Sequence, residues 1–268
     1  THLAADSHRH PVALWRKACI EATKLGGEVL RRYRGRVVAR EKQVNDLVTE
    51  ADLESQRVIE AFLTRRFPSH RILGEESVLA ADDPALVSSD SVRWIIDPLD
   101  GTTNFVHGFP SYCVSVAVER QGIVWAGAIY DPVADECFHA GRGEGAWLDE
   151  TELQGSGCPS LDQALLAAGF SPSISAGSIE VARFEAVLFR SQAVRRLGSA
   201  ALNLAYVAAG RLDGYFAESV KTWDVAAGVL LVELAGGTVS AIDGSPFDLQ
   251  RPRIAAAATK SLHRDLVD

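Results

Sequence analysis

The stretch WIIDPLDGTTNF at residues 94–105 constrains this chain more than any other. Ile95 and Ile96 read as the end of a buried strand, and Pro98 is expected to stop it. Asp97 and Asp100 then lie at the mouth of that strand, and Gly101 turns the chain into Thr102 and Thr103. Two carboxylates this close repel each other. They are tolerated only if both face water or if a cation sits between them. Hard oxygen donors on a short rigid turn suit Mg²⁺. Backbone N–H groups just after the turn suit a phosphate. A metal site beside a phosphate site is the layout of metal-assisted phosphoester hydrolysis.

Other acidic residues fall at element ends. A helix is expected over residues 11–34, with Trp15, Ala18, Ala22, Val29 and Leu30 on one face and Gly35 closing it. Residues 36–49 read as mixed and extended, carrying Lys42 and Asn45. A second helix over 51–66 holds Asp52 in its first turn, where it favours the helix dipole. A short strand at 71–73 leads to Glu75, and residues 80–90 read as an exposed loop. A long β region follows from 113 to 148, with a hairpin turn at 120–122. From about 161, strands at 165–170, 193–197, 213–217, 238–242 and 253–258 alternate with helices at 178–190, 200–209, 223–235 and 261–267. Asp224 opens the third of these helices, where a capping residue is expected. Taken singly, Asp52, Glu75 and Asp224 each have a plain structural explanation. Taken together with Asp97 and Asp100, they occupy the strand ends and helix starts where α/β folds build their sites.

Composition narrows the function classes. With 47% hydrophobic and 23% charged residues, the 268-residue chain can bury a sizeable core as one large domain or two small ones. A net charge of −8 argues against nucleic-acid or anionic-membrane partners. It does not exclude a phosphorylated substrate, since bound cations reverse the sign locally. Cys19, Cys113, Cys137 and Cys158 form no CxxC or Cys/His cluster, so zinc is not expected and a cytoplasmic protein with reduced thiols is. No apolar run reaches transmembrane length, and the first ten residues do not read as a signal peptide.

WIIDPLDGTTNF, GEES at 74–77, LVTEAD at 47–52 and WDVAAG at 223–228 resemble, in order and spacing, the inositol monophosphatase family. That family is a branch of the lithium-sensitive, Mg²⁺-dependent phosphomonoesterases related to fructose-1,6-bisphosphatase. The resemblance runs from about residue 11 to 260. It implies a five-layer αβαβα sandwich, with an N-terminal α+β half over 1–155, a C-terminal α/β half over 156–268, and the site between them. It implies two to three Mg²⁺ ions and a homodimer. Glu75, Asp97 and the Leu99 carbonyl resemble the ligands of the first metal. Asp97 would bridge to a second, shared with Asp100 and Asp224, and Glu75 would also help hold a third. Asp52 and Thr102 resemble the pair that orients and deprotonates the attacking water. Gly101 and Thr102 would offer N–H groups to the phosphate. Asp100, Asp224, Ser199 and Ala200 would lie on the substrate side, with Ala200 touching the polyol.

Two positions depart from the family pattern. The substrate-binding glutamate usually stands seven residues before the Asp of the Trp-Asp pair. Here Ala217 holds that position and Glu218 is one residue closer. Lys42, in a loop of variable length, is a further candidate. The implied reaction is hydrolysis of inositol 1-phosphate. Thr103 favours that branch over the histidinol-phosphate and 3′(2′),5′-bisphosphate nucleotide phosphatases, which more often carry lysine there. A regulatory binding protein of the same fold is the alternative of a different class.

Overall fold

The computed structural model describes residues 3–36, 39–43, 46–77 and 91–268. The loop expected over 80–90, Asn45 and the side chain of Lys42 lie outside the described residues.

Helix α1 (Leu3–Tyr33) starts well before the expected residue 11 and runs through Pro11, whose missing N–H costs only one bond of a long ladder. A small hairpin, β1 (Arg40–Gln43) and β2 (Asp46–Val48), leads into α2 (Glu50–Arg66). Seven strands then form one sheet in sequence order. These are β3 (Arg71–Gly74), β4 (Val92–Asp100), β5 (Cys113–Arg120), β6 (Ile123–Asp131), β7 (Glu136–Gly141), β8 (Gly145–Leu148) and β9 (Thr151–Glu152). Only β3 and β4 pair in parallel. A short helix, α3 (Thr102–His107), follows the end of β4, ahead of the β region expected from residue 113.

The second sheet has the order β11-β10-β12-β14-β13. Its strands are β10 (Leu165–Gly169), β11 (Ala193–Arg195), β12 (Gly214–Ala217), β13 (Thr238–Ser240) and β14 (Ile254–Ala257). The helices α4 (Ile179–Leu188), α5 (Ala200–Ala208), α6 (Thr222–Leu234) and α7 (Lys260–Val267) alternate with them. Strands β10, β11 and β12 run parallel, as βαβ crossovers require.

Side-chain alternation explains the layering. On β4, Trp94 and Ile96 pack with Trp15, Ala22, Ile59 and Leu63 of α1 and α2, whereas Ile95 packs with residues of α5 and α6. On the second sheet, Ala167, Tyr215 and Ala256 face the same α5/α6 layer, while Leu166, Phe216 and Ala255 face α7 and Val187 of α4. Both sheets are therefore covered on both faces, and strands such as β5 and β10 are buried almost throughout. Helix α6 lies between the two sheets and is apolar all round, from Val225 to Val232. The order of layers is α, β, α, β, α, as the resemblance implied. Among the described residues no helix is long and apolar enough to cross a membrane.

One feature of β4 departs from expectation. Pro98 does not stop the strand, which continues to Asp100. Asp97 pairs with Ser115 and Asp100 with Cys113, so β4 carries one extra residue there, a β-bulge. A bulge needs no ladder N–H from its extra residue, so proline is accommodated. The bulge also shifts the phase of the strand. Leu99 packs with Trp94 and Ile96, although regular alternation would put it beside Ile95. Asp97 and Asp100, three residues apart, consequently share the face toward α5 and α6.

Candidate active site

Gly101 follows the bulge with φ +95°, and a Cβ there would lie 2.8 Å from the Ser111 carbonyl oxygen. Gly101→Ala therefore combines left-handed backbone strain with a clash against fixed backbone. Urea unfolding is expected to show a loss of about 2 kcal/mol. A loss under half that size would mean that the turn relaxes freely.

Gly101 opens α3, so Thr102 stands on its first turn. The Thr102 hydroxyl lies 3.1 Å from both Asp52 Oδ1 and the Leu99 carbonyl oxygen. Asp52 sits on the first turn of α2 and is fully buried. Its Oδ2 accepts from the Thr49 N–H at 2.8 Å and the Thr49 hydroxyl at 2.6 Å. The Thr49 hydroxyl in turn accepts from the Ala51 N–H, which completes a capping box. One oxygen of Asp52 is thus structural and the other serves Thr102. The Thr-x-x-Asp spacing at 49–52 was a readable sign of that cap.

Burial raises the Asp52 pKa from 3.8 to about 6, with the charge of Glu76 adding to the rise and bonds from Thr49 and Thr102 opposing it. Between about pH 4 and pH 6 the folded protein thus holds this proton more firmly than the unfolded chain. Its contribution to stability is full below pH 4 and is lost as pH rises through 6, on the order of 3 kcal/mol. In chelator, melting curves at pH 4.5 and 7 should differ less for Asp52→Asn than for the wild type. Equal pH dependence in the two proteins would contradict this.

Asp97 is almost wholly buried, and its Oδ1 accepts from the Leu99 N–H at 3.1 Å. Burial raises its pKa well above the usual range, and the charges of Glu75, Asp100 and Asp224 raise it further. Asp100 Oδ2 accepts from the Ser199 hydroxyl at 2.6 Å and the Ala201 N–H at 2.7 Å, across to the start of α5. Ser199 is the N-cap of that helix, with Ala200 next to it. Asp224 lies in the third position of α6 rather than at its N-cap, which is Lys221. Its Oδ2 accepts from the Lys221 N–H at 2.8 Å, so it reaches back to the cap instead of forming it. Burial and the charges of Asp100 and Glu75 raise its pKa well above the usual range. Glu75 opens the turn after β3.

Glu75, Asp97, Asp100 and Asp224 are therefore gathered closely enough to feel one another's charge. Among the described residues none of the three aspartates is ion-paired with a lysine or arginine. One oxygen each of Asp97 and Asp224 makes no hydrogen bond. This all-oxygen, anionic donor set fits a hard divalent cation such as Mg²⁺. Among the described residues no three His, Cys, Asp or Glu groups converge as a formed metal cage.

Two sequence candidates behave differently. Glu218 is not with the other acids. Its Oε1 lies 2.9 Å from Arg183 Nε, and its Oε2 lies 2.9 Å from Arg253 Nε and Nη2. The sequence motif assigns Asn104 no site role, yet its Nδ2 donates to the Ser111 and Leu197 carbonyls, both at 2.7 Å. It ties the turn after β4 to the segment that delivers Ser199.

Comparison with known proteins follows the same line. A family model described as the inositol monophosphatase family matches residues 13–268. A Synechocystis protein named inositol-1-monophosphatase is 40% identical over 257 residues, covering 94% of this chain and 87% of that protein. A Xylella fastidiosa protein named Nus factor SuhB is 39% identical over 230 residues, covering 84% of this chain and 81% of that protein. The solved structure of an inositol monophosphatase from Anabaena superposes with a TM-score of 0.82 at 36% identity, covering 96% of this chain and 95% of that one.

Proposed function

The chain belongs to the inositol monophosphatase family, and from that premise we propose that it hydrolyses a small phosphorylated polyol, inositol 1-phosphate in the first place, with Mg²⁺ as cofactor. The observation that carries this reading is the bulge at Pro98 and Leu99. It turns Asp97 and Asp100 to one face, beside Asp224 and Glu75 and next to the Asp52–Thr102 pair.

Glu75, Asp97, Asp100, Asp224 and the Leu99 carbonyl would hold the ions. Mg²⁺ bound there would supply the Lewis acidity that lowers the pKa of water and offsets phosphate charge. The Thr102 hydroxyl can pass its proton to Asp52 Oδ1 and thereby accept one from an attacking water. Thr102 is too weak a base alone, so the Asp52 partner is required. Asp52, fixed through Oδ2 by Thr49, cannot rotate away. The N–H groups of Gly101 and Thr102 would face the phosphate, and Ser199 and Ala200 the alcohol being released.

Phosphate release should be measured at saturating Mg²⁺ from inositol 1-phosphate, histidinol phosphate, adenosine 3′,5′-bisphosphate and fructose 1,6-bisphosphate. The expected profile has the highest kcat/KM for inositol 1-phosphate. A higher value for another ester would keep the chemistry and reassign the substrate. Release from none would leave a regulatory binding role.

A further inference from the structure

The buried face of α2 carries Asp52, Ser55, Gln56, Ile59 and Leu63, one stripe at helical spacing. Its second half is apolar, as a core stripe should be. Its first half is polar, although Asp52 and Ser55 are fully buried and Gln56 is 5% exposed. Buried polar groups cost stability unless they are hydrogen-bonded. Each of these three finds a partner on a different segment of the candidate site.

Asp52 Oδ1 meets the Thr102 hydroxyl at the start of α3. Nearly one turn on, the Ser55 hydroxyl donates to the Pro98 carbonyl at 2.9 Å. Pro98 is buried in the bulge of β4, where the ladder to β5 is interrupted between Asp97 and Asp100. A buried carbonyl there needs a donor from outside the sheet. Helix α1 closes over this hydroxyl, since a Cβ on Gly26 would lie 2.7 Å from Ser55 Oγ. Beside it, Gln56 Oε1 accepts from the Glu76 N–H at 2.9 Å. That N–H belongs to the peptide group that follows Glu75. Gln56 Nε2 donates to Glu60 Oε1, also at 2.9 Å, so both ends of the amide are engaged. The end of β3 closes onto the same amide: a Cβ on Gly74 would lie 2.7 Å from Gln56 Cδ.

We infer that Ser55 and Gln56 are positioning residues, through which α2 sets the Asp97–Asp100 bulge and the Glu75 turn in register with the Asp52–Thr102 pair. The inference rests on the phosphomonoesterase reading above, because the segments it concerns are those that would hold Mg²⁺. Asp52, Ser55 and Gln56 lie within two turns of one helix, so three segments far apart in sequence share one rigid frame. Ser55 acts through the Pro98 carbonyl, and Gln56 through the peptide group between Glu75 and Glu76.

The test uses the full chain and two readouts. One is the Mg²⁺ dissociation constant from isothermal titration calorimetry. The other is the Mg²⁺ concentration that gives half-maximal release of phosphate from p-nitrophenyl phosphate. Ser55→Ala and Gln56→Met remove these hydrogen bonds and keep good helix formers in α2. Each should raise both Mg²⁺ values about ten- to a hundredfold, the usual effect of losing a group that orients a metal ligand. Ile59→Val, on the same stripe, is the control. It should lower the melting temperature in chelator and leave both Mg²⁺ values within about twofold. Unchanged Mg²⁺ affinity in a folded Ser55→Ala or Gln56→Met protein would overturn the assignment of that residue. A shift in Ile59→Val as large as theirs would overturn the inference as a whole. A wild-type protein that binds no Mg²⁺ and releases no phosphate overturns the phosphatase reading itself, a distinguishable result.

Discussion

Asp97→Asn is expected to lower kcat/KM by about 10³-fold or more, roughly 4 kcal/mol of transition-state stabilisation, while making the metal-free protein more stable. The two effects have one cause. Asp97 is buried among Glu75, Asp100 and Asp224, and no cationic side chain among the described residues is ion-paired with it. Keeping its charge in that setting costs stability, and the pKa well above the usual range expresses that cost. Asparagine removes the charge and keeps an oxygen that can accept from the Leu99 N–H, so the bulge should survive. In chelator the variant should melt higher than the wild type, by about 1–3 kcal/mol of stability. On addition of Mg²⁺ the wild type should gain through binding and the variant much less, so the order of melting temperatures narrows or reverses. A variant that melts far lower in chelator would show that Asp97 is a structural acceptor first.

Asp52→Asn should lower turnover by about 10²- to 10⁴-fold through a different route. The amide can satisfy the cap only by turning its oxygen toward the Thr49 N–H, since an Nδ2 there would oppose a donor. Its Nδ2 then faces Thr102, where the wild type presents Oδ1. The Thr102 hydroxyl becomes an acceptor on that side and donates instead to the Leu99 carbonyl, 3.1 Å away. It has lost the group that takes its proton. Mg²⁺-dependent melting should be retained in this variant, because the clustered acids are untouched. The wild-type rate should fall on the acid side as Asp52 becomes protonated, and because bound Mg²⁺ favours the charged carboxylate the fall should lie below the metal-free value of about 6. Asp52→Asn should lack that limb. Near-normal turnover in the variant would remove Asp52 from proton transfer.

The sequence carried much of this site and less of its geometry. The aspartates at 97, 100 and 224 were visible because they stand beside proline, glycine and tryptophan in spacings that a bare fold does not require. From the sequence Pro98 reads as a terminator, because local propensity cannot tell a strand end from a bulge. That distinction depends on the partner strand, where Ser115 and Cys113 set the register. Asp224 reads as a cap because a helix start is evident in the sequence. Which residue is half outside the helix depends on the φ of Lys221. Helix α3 is too short to show a period. The layered architecture comes from the resemblance, whereas the residue pattern alone gives a β region over 113–148 and alternating strands and helices from about 161.

The most direct test is release of phosphate from p-nitrophenyl phosphate by the wild-type protein as Mg²⁺ is titrated, then removed with chelator and restored. Activity that rises to saturation with Mg²⁺, vanishes in chelator and returns with the ion is the predicted result. Release that ignores the chelator, or no release at any Mg²⁺ concentration, would contradict the account.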